Sequence, residues 1–254
     1  MLAEERRNSI VENLKENDTV SSDALARSLG VSIETVRRDL RILESRRQLR
    51  RVHGGAVAAG TSTFVEEDFV TRSLSNSEGK LHIAHAVVGL LPENATVFFD
   101  LGTTTASIVA QIPRDYAGTI VTTSVHIATL LSHHENADVL LTGGRMRRGD
   151  LGLSGGATLR FLEDFYPDVA VISTGAVDST VGVTDFEFEE LQVKHLMLSH
   201  AKRSFVVADS SKFGKVAPYR VCALDEPTLL ITDRNLMQSQ RELLESDGAP
   251  LFLA

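Results

Sequence analysis

Residues 31–56 read VSIETVRRDLRILESRRQLRRVHGGA, and their pattern decides what the first quarter of the chain is. As a helix from Ile33 to about Arg46, the segment places Ile33, Val36, Leu40 and Leu43 at i, i+3, i+7 and i+10, on one side. Glu34, Thr35, Arg37, Arg38 and Arg41 fall off that stripe, and Arg46, Arg47, Arg50, Arg51 and His53 follow. From Arg37 to His53, seven arginines stand against two acids, a local charge of about +5 in a chain whose total is −8. A compact cationic segment on an acidic protein implies a polyanion, and duplex DNA is the first candidate.

The charge is unevenly spread. Residues 1–57 carry eleven Lys/Arg against nine Asp/Glu, and the remainder carries fifteen against twenty-five. An acidic body repels nucleic acid, so contact with DNA belongs to the first quarter. The single cysteine, Cys222, excludes an internal disulfide and points to a reducing compartment. The amphipathic, charged N-terminus lacks the apolar core of a secretory signal, and the apolar runs are far below bilayer length. A soluble, cytoplasmic protein is expected, with no membrane partner.

Around the opening stretch the local signals agree. Leu2, Ile10 and Leu14 predict a first helix ending near Asn17, and Val20 a very short strand. Ser21 or Ser22 caps a helix over Asp23–Leu29, which Gly30 closes, and Ser32 caps the next. Helix, glycine turn, helix is the helix-turn-helix pattern, and Gln48–Val52 with His53-Gly54-Gly55 adds a hairpin wing. Arg37 and Arg38 are placed to reach base edges or phosphates, with Arg41 beside them. Thr35 suits a phosphate or a thymine methyl, and Ser32 a phosphate at the helix N-terminus. Arg50, Arg51 and His53 of the wing suit the backbone or minor groove.

The segments SSDALARSLGVSIETVRRDL and LRRVHGGA resemble the N-terminal domain of the DeoR family of bacterial transcriptional regulators. That resemblance implies a winged helix-turn-helix over residues 1–57. The small, polar AVAAGTSTF opens an expected linker, residues 58–73, and a larger domain over 74–254 follows.

In that second unit strand-like and helical segments alternate. Strands are expected at 95–100, 119–123, 138–142, 168–174, 204–209 and 228–232. Helices are expected at 80–91, 104–111, 125–133, 158–165 and 187–201. The fold class is therefore α/β, with a mostly parallel sheet flanked by helices. The closing LFLA has no assigned place. Several strand ends carry polar groups, where ligands of open parallel sheets sit. Asp100, Gly102, Thr103, Thr104 and Thr105 form a glycine turn rich in hydroxyls, a nest for a phosphate or carboxylate, or simply a helix start. Ser124, Gly143, Gly144, Arg145, Asp178 and Lys212 lie at further strand ends, whereas Arg147 and Arg148 read as surface residues. Such a set suits a phosphorylated polyol, with cations for phosphate and carboxylates for hydroxyls.

GTTT, LTGG, TGAVD and SSKFG resemble the sensor domain of the same family, so the likeness spans about nine-tenths of the chain. It implies a fold similar to ribose-5-phosphate isomerase and the CoA transferases, and a sugar-phosphate effector that modulates operator binding, usually by releasing it. GVTDFEFEELQVKHLM with ADSSKFGK looks closest to the glycerol-3-phosphate-responsive branch, with Glu190 and Lys194 one helical turn apart toward the effector. Thr123 departs from the asparagine that many members have there. The expected function is a DNA-binding repressor of carbohydrate or polyol genes, acting as a homo-oligomer (dimer or tetramer), with no cofactor and no metal. Activation is an alternative, since it starts from the same operator binding. A sugar-phosphate isomerase is the other, but no combined motif fixes Asp178, Glu190 and Lys212 in a proton-transfer geometry.

Overall fold

The computed structural model describes residues 3–17, 19–45, 48–52, 55–58 and 66–254. The chain divides into two compact units, Met1–Phe64 and Val65–Ala254.

In the first unit three helices, α1 (Ala3–Asn17), α2 (Ser22–Leu29) and α3 (Ile33–Ser45), accompany strands β1 (Thr19–Ser21), β2 (Leu49–Val52) and β3 (Gly55–Ala58). The strands form an antiparallel sheet in the order β1-β3-β2, with Val57 opposite both Thr19 and Arg50. Gly30, at φ +64°, takes the left-handed turn after α2, and the Val31 N–H donates to the Ala26 carbonyl. That six-to-one bond is the closure a glycine permits at a helix end. Ile10, Leu14, Leu25, Val36, Leu40, Leu43, Leu49 and Ala56 make the core. Three of the four stripe residues of α3 are thus inward. Ile33 is the exception at 38% exposed, because it is the first helical residue and overhangs the packed face.

The second unit is a parallel sheet buried on both faces. Its strands are β4 (Thr96–Phe99), β5 (Gly118–Thr122), β6 (Ala137–Leu141), β9 (Val169–Ser173), β12 (Arg203–Val207), β14 (Leu229–Thr232) and β15 (Leu251–Leu253). Their order is β15-β14-β12-β9-β4-β5-β6, and every neighbouring pair is parallel. The unassigned LFLA thus supplies the edge strand β15, paired with β14. Alternate residues go to opposite layers. Val97, Phe99, Val169 and Val171 join α5 (Ser77–Leu90), α6 (Thr103–Val109) and α7 (Val125–Leu131) on one face. Phe98, Ala170 and Ile172 join α8 (Gly156–Leu162) and α9 (Phe188–His200) on the other.

Several pieces exceed the sequence expectation. Helix α4 (Phe69–Leu74) overlaps the end of the stretch read as linker. A small hairpin joins β7 (Arg145–Met146) to β8 (Leu153–Ser154). A second, antiparallel sheet contains β10 (Ala176–Asp178), β11 (Gly182–Asp185) and β13 (Tyr219–Cys222). Helix α10 (Gln238–Ser246), by contrast, matches a tail that reads as helical after Asp233. The connections place β5 and β6 on one side of β4 and β9, β12, β14 and β15 on the other. The direction of winding therefore reverses between β4 and β9, the position at which open parallel sheets commonly bind ligands.

Candidate functional site

The outer side of α3 is built as a cationic surface. Arg37, Arg38 and Arg41 are exposed while Val36, Leu40 and Leu43 are buried on the other side. The Ser32 hydroxyl accepts from the Thr35 N–H at 3.2 Å and lies 2.9 Å from the Thr35 hydroxyl, so it caps the helix itself. Arg37 makes an exposed pair with Glu34 at 2.7 Å, a contact that water screens and a phosphate readily replaces. Within the same RRD run, Asp39 turns inward, 2% exposed. Its carboxylate takes Arg6 Nε at 2.5 Å and Arg7 Nη1 at 3.5 Å, tying α3 to α1. Arg50 and Arg51 lie in β2, paired in register with Val57 and Ala56. His53, Arg46 and Arg47 lie outside the described residues.

At the switch point, Asp100 follows β4, and its carboxylate accepts from the Ser173 N–H at 3.2 Å and from Lys194 Nζ at 2.5 Å. Lys194 also meets Asp185 at 2.8 Å and donates to the Ser173 carbonyl at 2.8 Å. Lys194 and Asp100 are each 1% exposed. Burial alone would lower the lysine pKa, but Asp100, Asp185 and Glu190 outweigh it and hold the ammonium charged. Gly102, at φ +141°, opens α6, and a Cβ there would stand 2.8 Å from the Ser173 hydroxyl. Thr105 donates to the Gly102 carbonyl at 2.9 Å, and Thr103 and Thr104 fill the first turn beside it. Glu190, on α9 one turn before Lys194, is buried enough to raise its pKa to about 8, against the opposing pull of Arg147 and Lys194.

The other expected residues divide. Ser124 caps α7, accepting from the Ile127 N–H at 3.3 Å. The Gly143 carbonyl accepts from the Thr158 hydroxyl at 2.6 Å, and a Cβ on Gly144 would stand 2.6 Å from the Ser154 carbonyl. Between them, the Thr123 and Thr142 hydroxyls are buried without a hydrogen-bond partner. Asp178 is not gathered with Asp100 and Lys194. Its carboxylate accepts from the Thr180 and Val181 N–H groups and closes the β10–β11 turn. Arg145 is 76% exposed and pairs with Glu189, because the two-residue β7 leaves it at the rim. Arg147, expected at the surface, is instead three-quarters buried among Glu66, Asp150, Glu187 and Glu190.

Lys212 stands in the turn Ser210–Lys212 after β12. Burial lowers its pKa, Asp209 opposes that, and Arg72 and Lys215 push the same way as burial. Lys80, on α5, is lowered by burial as well, with Asp209 opposing and Lys212 and Arg72 repelling. Its Nζ donates to the carbonyls of Ser75, at 2.6 Å, and Arg72. Asn76, at φ +45°, donates to Asp209 at 3.1 Å. Lys80 and Arg72 were missed from sequence, yet Lys80 carries a signal: it falls at i relative to Ile83, Ala84 and Val87, on the inward stripe of its helix. A lysine there is either paired or poised for an anion.

The charged groups at these strand ends thus fall into two sets. Carboxylates crowd Lys194 and Arg147, while Lys80 and Lys212 lie near Asp209. Among the described residues, no helix is long and apolar enough to cross a membrane.

Known proteins resemble the chain along nearly its whole length. A family model described as the DeoR C terminal sensor domain matches residues 75–234, and one described as a DeoR-like helix-turn-helix domain matches residues 6–62. The HTH-type transcriptional regulator GlpR of Haloferax volcanii is 40% identical over 250 residues, 98% of this chain and 96% of that protein. The glycerol-3-phosphate regulon repressor of Haemophilus influenzae is 33% identical over 89% of this chain and 88% of its own. That of Escherichia coli K12 is 30% identical over 90% of each. Among solved structures, ribose 5-phosphate isomerase A of Methanocaldococcus jannaschii covers 56% of both chains at a TM-score of 0.41 and 18% identity, too partial a likeness to carry any statement about activity.

Proposed function

The chain belongs to the DeoR family of transcriptional regulators, and from that premise we propose that it represses genes of carbohydrate or polyol metabolism under the control of a phosphorylated sugar or polyol. The observation that carries the DNA half is the division of α3, whose arginines face outward while Asp39, the acid among them, is turned in and neutralised. The observation that carries the sensing half is the bipolar charge at the strand ends. Asp100, Gly102, Thr103, Thr104, Thr105, Ser124 and Glu190 take the polyol end, and Lys212 with Lys80 and Arg72 takes the phosphate. Lys194 orders Asp100 and Asp185 as acceptors. Two full-length relatives are named for glycerol 3-phosphate, which makes that ligand the first to try.

The protein works in the cytoplasm as a homo-oligomer. A single helix-turn-helix buries little surface, so pairing on repeated half-sites is what gives useful affinity. Turnover is not part of this reading: Asp178, one of the three acid–base candidates, is bound to its own backbone turn.

The test uses full-length protein and duplexes selected from a random pool. Binding should weaken steeply with salt, as phosphate neutralisation requires. Millimolar glycerol 3-phosphate, or another phosphorylated polyol from a thermal-shift screen, should then raise Kd by about 5- to 150-fold. Failure to select any duplex at low ionic strength ends the regulator reading. Enzyme-like turnover of ribose 5-phosphate ends the non-enzyme reading.

A further inference from the structure

The outward side of α9 carries a face that sensing does not use. Phe188, Gln192, His195 and Ser199 recur at i, i+4, i+7 and i+11 and are all exposed, so they form one ridge along the helix. Glu190, Val193, Lys194 and Met197 are buried on its other side. Leu191 and Leu198 pack with Val221 and Cys222, whereas Val193 and Leu196 pack with Leu162 and Phe165. β13 and α8 therefore take opposite flanks of the ridge.

On the α8 flank Tyr166 is 67% exposed, yet its ring is held. It stacks on His200 with centroids 4.6 Å apart and planes at 9°, and His200 Nδ1 lies 3.1 Å from the Phe165 carbonyl oxygen. Glu163 and Asp164, both exposed, stand just before it in the chain. On the β13 flank a cleft of about 450 Å³ opens, lined by His195, Leu198, Ser199, Arg220, Cys222 and Glu226. Glu226 accepts from the Ala223 N–H at 2.7 Å, and Arg220 is exposed. Among the described residues none of Arg220, Glu163 and Asp164 is held in an ion pair.

A pre-stacked aromatic and an open cleft on one face are the two halves of an isologous contact. A two-fold axis along the α9 ridge exchanges the flanks, so the α8 side of one copy meets the β13 side of the other at the same height. Tyr166 is level with His200, and the cleft with Leu198 and Ser199, so the two match to within one helical turn. We propose that this face pairs two copies of the chain, with Tyr166 of each seated in the cleft of the other and Glu163 and Asp164 set against Arg220. The charges are complementary in that arrangement, acids beside the anchor and a guanidinium beside the cleft. A tyrosine brings a large contact area for two rotatable bonds, and the Arg220 guanidinium suits its ring face. Phe188 and Tyr219, with rings 5.6 Å apart, extend the apolar contact toward the start of α9. This inference rests on the homo-oligomer reading above and names its surface.

Sedimentation velocity of the full chain, diluted through the range in which the assembly comes apart, gives its Kd. Tyr166→Ala should raise that Kd by about 30-fold or more, the loss typical of a truncated aromatic anchor. Thermal unfolding should stay parent-like, because the side chain is exposed. Arg220→Glu should weaken assembly at least about tenfold by placing like charges together. Adding Glu163→Arg and Asp164→Arg to it should recover most of the loss, which a local effect of Arg220 would not allow. Leu243→Ala, on an exposed position of α10, should match the parent. A parent that assembles while Tyr166→Ala and Arg220→Glu assemble equally well refutes this surface and leaves the oligomer reading standing. A parent that stays monomeric at every concentration refutes both.

Discussion

Asp39→Ala probes how the reading helix is held rather than what it touches. The carboxylate is 2% exposed and receives Arg6 at 2.5 Å and Arg7 at 3.5 Å, from side chains 12% and 13% exposed. Removing one partner of a fully buried pair costs about 3–5 kcal/mol, since the remaining charge is left uncompensated. Here the guanidiniums reach solvent at their edges, so rehydration recovers part of that, and about 2–3 kcal/mol is expected. A unit of this size has on the order of 3–9 kcal/mol of stability. The loss is therefore a large share, and it falls on the contact that fixes α3 against α1. Thermal unfolding of the full chain should show the first unit's transition lowered and the second unchanged. Operator affinity should drop with it, although no outward arginine is altered. A double-mutant cycle with Arg6→Ala isolates the pair, with a coupling of about 1–3 kcal/mol expected. A first transition within about 0.5 kcal/mol of the parent, together with parent-like operator affinity, would show that Asp39 does not fasten the helix.

Arg37→Ala with Arg38→Ala should do the reverse. Both side chains are exposed, so stability should stay within about 0.5 kcal/mol, while operator affinity falls by about 100-fold or more in mobility-shift titrations. Gly102→Ala places a Cβ 2.8 Å from the Ser173 hydroxyl at φ +141°, so the second transition should lose about 2–4 kcal/mol and ligand response should vanish. A fully stable, responsive variant would refute the close approach of Gly102 to Ser173. Glu190→Gln addresses pH. Burial holds this carboxyl protonated up to about pH 8, above the ordinary 4.5, so the folded state binds the extra proton. Its contribution is full below pH 4.5 and lost as pH rises through 8, on the order of a few kcal/mol. Urea unfolding from pH 5 to 9 should show a falling stability in the parent that the glutamine variant lacks, and equal slopes would remove Glu190 from the account.

What could be read from sequence follows from periodicity and length. α3 was legible because thirteen residues carry a clean stripe, a serine cap and a glycine before it. Six strands of the parallel sheet were legible as apolar runs between helices. The seventh, β15, is only three residues, too short to show a period, and earns its place by pairing with β14. Shortness likewise hid β7, β8 and β10, of two or three residues each, and with them the turn that occupies Asp178. Lys194 and Glu190 were legible as an i, i+4 pair of opposite charge on one helix. Arg147 was not, because its four partners come from residues 66, 150, 187 and 190, and nothing local says that an arginine beside Arg148 turns inward.

The two lysine environments predict that a phosphorylated ligand binds more tightly than a neutral one. Lys194 has two carboxylates within 2.8 Å, so its charge is already answered and an incoming anion gains little from it. Lys80 and Lys212 share Asp209 while repelling each other and Arg72, and burial adds to the strain on both charges. An arriving phosphate would relieve that repulsion and supply further acceptor oxygens. A free polyol brings no added anion to these cations and should gain only hydroxyl contacts at Asp100 and its neighbours. The predicted selectivity comes from the contrast between one lysine paired directly with two acids and two lysines whose charge burial and neighbouring cations disfavour.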